Sequence, residues 1–245
     1  MELTSLTEMW DRLTGTQPDP TLPFVLITAA LALVVVVPHR VWRLSRNVVT
    51  IAHEGGHALA ALLTGRRLTG IRLHSDTSGV TVSVGKPSGP GMVLTGAAGY
   101  VTPSLLGLGY ALVLEGGRIT ALLWISLALL FSMLVMIRNV YGAVSLLVTG
   151  AIVFAVSWFA TATVQAVFAY AFTWFLLVAG VRPVFELQHK RRRRQAPQSD
   201  ADQLAQLTPI PGIVWVGFFL AVALAALAGG GLLLIPSAHP VALIP

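Results

Sequence analysis

Cysteine is absent from this chain of 245 residues, and charged residues make up only 11% of it. The first absence excludes disulfide bonds and any metal site built on thiolates. The second excludes an ordinary soluble domain, which would need far more charge to cover its surface. Hydrophobic residues take the place of charge: they account for 55% of the chain and give it a mean hydropathy of +0.78.

Long apolar segments occupy most of the sequence. A helix rises about 1.5 Å per residue, so about 20 residues cross a hydrocarbon core of roughly 30 Å. Seven segments reach or approach that length: 22–37, 47–64, 92–114, 119–137, 140–157, 158–181 and 212–235. The sequence therefore predicts an all-α, multi-pass membrane protein, with a polar tail over 1–21 and a single membrane-embedded domain over 22–245.

Basic residues are concentrated between the apolar segments. They occur in His39–Arg46, in the connection that contains Arg66 and Lys86, and most densely in His189–Arg194. A basic run can indicate nucleic-acid binding, but runs beside membrane helices are typical of cytoplasmic loops that contact anionic headgroups. We therefore expect a cell-membrane protein with its basic loops on the cytoplasmic side, the lipid bilayer as a partner, and no nucleic acid.

One apolar segment carries three polar side chains that hydrocarbon penalises. Within Asn47–Gly65, "NVVTIAHEGGHALAALLTG", these are His53, Glu54 and His57. Residues four apart lie on one face of a helix, so both imidazoles can reach one ion. Two His and a third ligand hold Zn²⁺ with a position open to water, whose pKa falls to about 7, and Glu54 can accept its proton. Ionisable groups inside a membrane helix are expensive and mark functional sites.

The residues after this helix predict a β-hairpin. In Leu68–Gly85, three valines alternate with Thr81 and Ser83, and "DTSG" supplies turn residues before them. The hairpin either pairs with an extended substrate by adding a strand, or is purely structural. Residues 38–91 thus form the predicted unit of active-site helix and hairpin.

A third metal ligand is expected from a carboxylate farther along the chain. Asp76 falls in the hairpin turn and Glu115 at a helix end, both ordinary positions. The remaining candidates, Glu186, Asp200 and Asp202, all lie in the basic loop predicted for 182–211.

The segment that starts at "HEGGHALAALLTG" resembles the active-site region of the site-2 protease family of intramembrane zinc metalloproteases, in particular its small bacterial and plant-type branch. The resemblance extends through "GAAGYVTPSLLG" to "SDADQLAQLTPIPGIVW" and covers roughly residues 45–220. The Asn-Pro…Leu-Asp-Gly motif of typical members is absent. A Ser-Asp-Ala motif before the last helix takes its place in the similar branch, which implies Asp200 as the third ligand.

These features predict a zinc metalloprotease that hydrolyses peptide bonds of membrane-anchored protein substrates. Its metal ligands would be His53, His57 and Asp200, less favourably Asp202 or Glu186, and Glu54 would be the general base. Two alternatives stay open: a zinc hydrolase of a lipid ester or amide, and a non-catalytic binding or chaperone module that keeps the protease fold.

The metal also constrains the topology. If all seven segments crossed, residues 38–46 and 182–211 would lie on opposite sides, and Asp200 would be separated from His53 by hydrocarbon. The conflict disappears if one segment does not cross; the best candidate is 47–64, and a single merged segment over 140–181 is the alternative. About six crossings then place both basic regions inside and both termini outside.

Overall fold

The computed structural model describes residues 15–17 and 20–236. Most of the tail predicted for 1–21, and residues 237–245 of the predicted domain, lie outside this range. The elements, numbered in chain order, are α1 Leu22–Val36, α2 His39–Leu63, β1 Arg67–Leu73, β2 Gly79–Val84, α3 Pro90–Glu115, α4 Ile119–Met136, α5 Val140–Phe159, α6 Ala162–Ala179, α7 Arg182–Arg192, α8 Asp200–Leu207 and α9 Gly212–Leu234. The predicted fold class, a helical membrane protein with one hairpin, is confirmed.

Five helical segments of the described chain are long and apolar enough to cross a membrane: α3, α4, α5, α6 continued by α7, and α9. The helices α1 and α2 reach that threshold only as a pair, which is bent by 101°. The bend falls at Pro38, whose ring removes a backbone donor and disfavours a continuous helix. A count of five or six spans agrees with the prediction that 47–64 makes no separate crossing.

Contacts at the two ends of α1 show which segments lie at each end of the bundle. At its start, the backbone N–H of Gln17 donates to the carbonyl of Gly117 in the α3–α4 turn at 2.9 Å. At its end, the Arg182 guanidinium donates to the carbonyls of Val36 and, at 3.0 Å, Val37. The helix α1 therefore runs from the α3–α4 turn to the junction between α6 and α7.

The helix α2 stays at that second end of the bundle. It begins beside Arg182, and the residue that follows its end, Thr64, lies against Gly91 at the start of α3. Arg138 is at the same end, because its backbone N–H donates to Ile71 in β1 at 2.9 Å. We call this region, formed by 38–46, 65–91, Arg138 and 182–211, the basic end.

Two polar stretches are helical where the sequence predicted connections. The basic connector 38–46 forms the first turns of α2, and the predicted loop 182–211 contains α7 and α8. Both were missed because hydropathy reveals helices that cross a membrane, whereas these are polar. An apolar cluster fixes α7 and α8 against α9 through Val184, Leu187, Ala201, Leu204, Val216 and Phe219.

The hairpin has the predicted strands. Its apolar residues face outward and its polar residues face the protein, which is the reverse of the pattern in a soluble sheet. The strands are antiparallel, with Ile71 opposite Thr81. Val80, Val82 and Val84 are 48%, 48% and 60% exposed, whereas Thr81 and Ser83 are partly buried against the protein. The polar face turns inward because it has polar partners there: the Thr81 hydroxyl donates to Glu54, and Arg66 donates to the Ser83 hydroxyl.

Single cysteines introduced into this cysteine-free chain test the topology. Ser88→Cys and Gln195→Cys, both at exposed positions of the basic end, should be protected from an impermeant thiol reagent in intact cells. Gly116→Cys, in the α3–α4 turn, should react. Labelling of Gln195→Cys from outside, or opposite behaviour of the two basic-end cysteines, would contradict the arrangement.

Candidate metal centre

The two histidines of the motif face each other across one turn of α2. Their Nε2 atoms are 3.1 Å apart, and the rings meet edge to face with centroids separated by 4.7 Å. This follows from the spacing of four residues, which stacks side chains on one face of a helix.

Asp200 completes a group of three ligand atoms. Its Oδ2 atom lies 3.2 Å from Nε2 of His53 and 3.3 Å from Nε2 of His57. All three ligand atoms lie within 4.8 Å of one another, a spacing that one metal ion can bridge. The structure thus brings together residues that are more than 140 positions apart in the sequence.

The helix α8 is what carries Asp200 to the histidines. Ser199 caps its N-terminus, with its hydroxyl 3.4 Å from the backbone N–H of Asp202. Ala201 and Leu204 are fully buried, and Leu204 contacts Gly96 of α3, where a Cβ atom would lie 3.2 Å from it. The position of Asp200 therefore depends on apolar packing of α8 against α3 and α9.

The two competing carboxylates have other partners. Asp202 forms an ion pair with Arg191 at 2.7 Å, and the hydrogen bonds from Arg191 lower the pKa of Asp202 below its ordinary value. Glu186 accepts hydrogen bonds from Trp42 at 2.8 Å and Arg182 at 3.1 Å. Neither belongs to the group of convergent ligand atoms.

Backbone of α3 orients the ligands. Nδ1 of His57 lies 2.7 Å from the carbonyl oxygen of Thr95 and must donate to it, because a carbonyl only accepts. In the neutral ring this leaves Nε2 with a free lone pair, the arrangement that metal-binding imidazoles use. Tyr100 packs its ring edge to face on His53, with centroids 4.8 Å apart.

A glycine of α3 makes room for the group. A Cβ atom on Gly99 would lie 2.6 Å from Nε2 of His53 and would also collide with Nε2 of His57. Only a residue without a side chain leaves space beside the two ligand nitrogens. The sequence signal is the small-residue run around Gly99, which predicts close helix approach without identifying which glycine faces the histidines.

The residues fit a divalent metal. Oδ2 of Asp200 is buried without a hydrogen-bond partner of normal geometry among the described residues, despite the two nearby nitrogens. Two imidazole nitrogens with lone pairs and one carboxylate oxygen repel one another at these distances, and either a metal ion or a proton on an imidazole relieves this repulsion. Two nitrogens and one oxygen are a donor set that catalytic Zn²⁺ sites use.

Glu54 lies beside this group, and its carboxylate contacts the hairpin strand β2. Its side chain is buried, and its Oε2 atom accepts a hydrogen bond of 2.7 Å from the hydroxyl of Thr81 in β2. A Cβ atom on Gly79 would lie 2.5 Å from its Oε1 atom, so this strand passes directly over the carboxylate. Thr81 and Gly79 were missed from the sequence because only the fold brings β2 over α2.

The hairpin is anchored on both sides of this contact. The Thr50 hydroxyl of α2 donates to the carbonyl of Thr77 at 2.8 Å. On β1, the Asn139 side chain donates to the carbonyl of Leu73 at 2.7 Å and accepts from its backbone N–H at 3.2 Å. The Asn139 amide thus pairs with the outer edge of β1 as a neighbouring strand would.

The two glycines of "HEGGH" allow other helices to approach α2. A Cβ atom on Gly56 would collide with Thr102 of α3 and lie 2.9 Å from the carbonyl oxygen of Ala98. A Cβ atom on Gly55 would lie 3.1 Å from the sulfur of Met133 in α4. Close helix packing explains why glycines are retained in a helix despite a cost of about 1 kcal/mol each.

Comparison with known proteins places the chain in a family. No curated protein and no solved structure gives a significant match. Residues 26–230 match the family described as Peptidase M50B-like, which covers every helix that bears a residue of the candidate centre. The chain therefore belongs to the Peptidase M50B-like family of membrane peptidases, within the site-2 proteases.

Proposed function

We propose that this protein is a zinc-dependent intramembrane peptidase that hydrolyses peptide bonds of membrane-anchored protein substrates. The observation that carries the proposal is the meeting of His53, His57 and Asp200 at one point, with Glu54 beside them. Family membership supports a membrane peptidase in general, and the donor set favours zinc.

In this proposal each residue has one role. His53, His57 and Asp200 hold the zinc, which when bound supplies a Lewis acid and lowers the pKa of water. Glu54 takes the proton from the attacking water and then passes it to the nitrogen of the leaving amine. The Thr95 carbonyl keeps His57 in the tautomer that leaves Nε2 unprotonated.

Thr81 orients the general base. A carboxylate can rotate about its terminal bond, but a hydrogen bond of 2.7 Å from the Thr81 hydroxyl fixes the plane of Glu54. Oε2 is occupied by this donor, which leaves Oε1 as the oxygen that accepts the proton from water. Gly79 allows the strand to approach closely enough for this hydrogen bond.

The open edge of β2 favours a peptide over a lipid ester. One edge of the sheet is occupied, since Ile71 of β1 bridges to Ile137 and Leu73 pairs with Asn139. The outer edge of β2 has no strand partner within residues 20–236. An extended substrate could hydrogen-bond to this edge next to Glu54, whereas a lipid ester could not.

A direct comparison of substrates tests the proposed reaction. The detergent-solubilised protein should cleave a membrane-anchored peptide and should release no product from a phospholipid or an acylated amide. Turnover of the lipid alone would support the zinc ester or amide hydrolase instead. Absence of turnover on both, with zinc bound, would support the non-catalytic module.

The first predicted variant is Glu54→Gln. Glu54 is not a ligand, so the variant should keep its zinc while turnover falls by about 10²–10⁴-fold, the range typical of general-base catalysis. Zinc content and cleavage rate, measured on the same preparation, check both parts. Near-normal cleavage would show that another group is the base.

A second comparison concerns the ligands. Asp200→Ala should weaken zinc binding by more than the roughly 10- to 100-fold typical of changes outside the ligand set. Asp202→Ala and Glu186→Ala are the comparison variants: each removes a carboxylate from the same segment without removing a ligand atom, so both should weaken zinc binding clearly less than Asp200→Ala does. Equal zinc content in Asp200→Ala and wild type would transfer the ligand role to another group.

A third comparison concerns Thr81. Thr81→Val should lower kcat by roughly 10- to 150-fold, because a hydrogen bond to a charged group contributes about 1.5–3 kcal/mol. KM and zinc content should not change, and Thr81→Ser should restore the rate. Ser83→Ala is the control, since Ser83 lies on the same face of β2 and contacts Arg66. Equal losses in Thr81→Val and Thr81→Ser would mean that strand packing, not the hydroxyl, is responsible.

A further inference from the structure

A large basic groove lies at the basic end, separate from the candidate metal centre. Its volume is ≈ 1070 Å³. Three elements enclose it: the first turns of α2, the tip of the hairpin and α7. Its lining includes the cations Arg40, Arg43 and Lys190 and the apolar side chains of Leu44 and Phe185.

The groove is formed by basic segments that are far apart in sequence. Arg40 and Arg43 belong to the run before the metal-binding part of α2, and Lys190 belongs to the run at the end of α7. To set the orientation of the protein in the membrane, a basic loop needs only enough positive charge. Orientation does not require two runs about 150 residues apart to line one concave surface, and such a surface can accept an anionic ligand.

Part of the positive charge in the groove is already neutralised by a carboxylate, and the side chains involved are held in place by their contacts. Glu186 in its floor lies between Arg182 at 3.1 Å and Arg46 at 3.7 Å. Trp42 is almost fully buried; its indole donates to Glu186, and the Arg182 guanidinium lies 4.8 Å from its ring centroid. These contacts hold α2 and α7 together and preform the groove.

The remaining cations have no carboxylate partner. Arg40, Arg43 and Lys190 are exposed, and none of them forms an ion pair with any residue the structure describes. Asp76, at the hairpin tip, is the other carboxylate of the lining, and hydrogen bonds from Ser78 satisfy it. The groove therefore keeps an uncompensated positive charge.

Apolar side chains beside these cations indicate an amphiphile. Leu44 is 82% exposed and Phe185 is 58% exposed, and both line the groove. The groove lies where α1 ends and α6 passes into α7, which is the level at which apolar helices give way to polar ones. A free phosphate would use the cations alone, whereas a phospholipid would use both the cations and the apolar surface.

We propose that this groove binds the phosphate headgroup of an anionic phospholipid, with the phosphate between Arg40 and Arg43 of α2 and Lys190 of α7. A lipid bound there would connect α2, which carries both histidines, to α7, which leads to Asp200 on α8. A neighbouring cavity of ≈ 380 Å³ shares Arg46, Glu186 and Lys190 with the groove and extends to Ser199. The proposal does not depend on peptidase activity.

The test measures lipid binding to the purified, full-length protein in detergent, by native mass spectrometry and by the shift in melting temperature. Phosphatidylglycerol is compared with phosphatidylcholine, and inorganic phosphate and glycerol 1-phosphate serve as probes without acyl chains. Wild type should bind phosphatidylglycerol and gain melting temperature from it, with little effect from the other three.

The groove variant is Arg40→Gln with Arg43→Gln, and the matched control is Arg192→Gln with Arg193→Gln. The control removes the same charge from exposed positions that do not line the groove. Each basic residue near an anionic lipid contributes about a five-fold effect, so the groove variant should bind phosphatidylglycerol roughly 30-fold more weakly, while the control binds as wild type does. Lys190→Gln, a single exposed change, should weaken binding about five-fold.

Three outcomes would overturn the proposal. Equal weakening in the groove variant and the control would show a diffuse charge effect. Equal binding of phosphatidylcholine would show that the headgroup charge is irrelevant. Equal stabilisation by inorganic phosphate would identify a free phosphate, not a lipid, as the ligand.

Discussion

The structure depends on holding three ionisable side chains together inside an apolar helical bundle. A carboxylate and two imidazoles in such surroundings are costly unless they are paired or bound to a cation. The chain meets this cost with close packing around α3. Gly99 leaves room for the imidazoles, the Thr95 carbonyl accepts the hydrogen bond from Nδ1–H of His57, and Gly96 accommodates Leu204 of the helix that carries Asp200.

The same constraint explains why the basic end is more ordered than its polarity suggests. Asp200 can meet the histidines only if α7 and α8 have fixed positions, and loops alone would not fix them. Apolar packing around Leu204 and Phe219 holds α8 in place, and the Glu186–Trp42 hydrogen bond ties α7 to α2. Glu186, considered from the sequence as a ligand, instead helps to hold together the segments that carry the ligands.

The parts predictable from the sequence were those governed by local spacing. The four-residue interval of His53 and His57 places both on one helical face, and the alternating valines of β2 predict a strand. For a ligand distant in sequence, the residues could only reduce the number of candidates. Three carboxylates remained candidates for the third ligand, and only the fold brings Asp200 to the histidines and leaves Asp202 and Glu186 with other partners. The contacts of Glu54 with Thr81 and Gly79 had no local signal, because they depend on how a hairpin folds back over the preceding helix.

The bend of 101° at Pro38 sets how deep the candidate metal centre lies in the bundle. Because α2 turns aside after the bend, its Gly55 meets Met133 in the last turn of α4, which ends just before Arg138 at the basic end. A peptide bond that reached Glu54 would therefore lie close to one membrane surface. For the membrane-anchored substrate of the proposed function, the two products would be unequal: one would retain most of the hydrophobic anchor, and the other would keep little apolar length and would leave from the basic end.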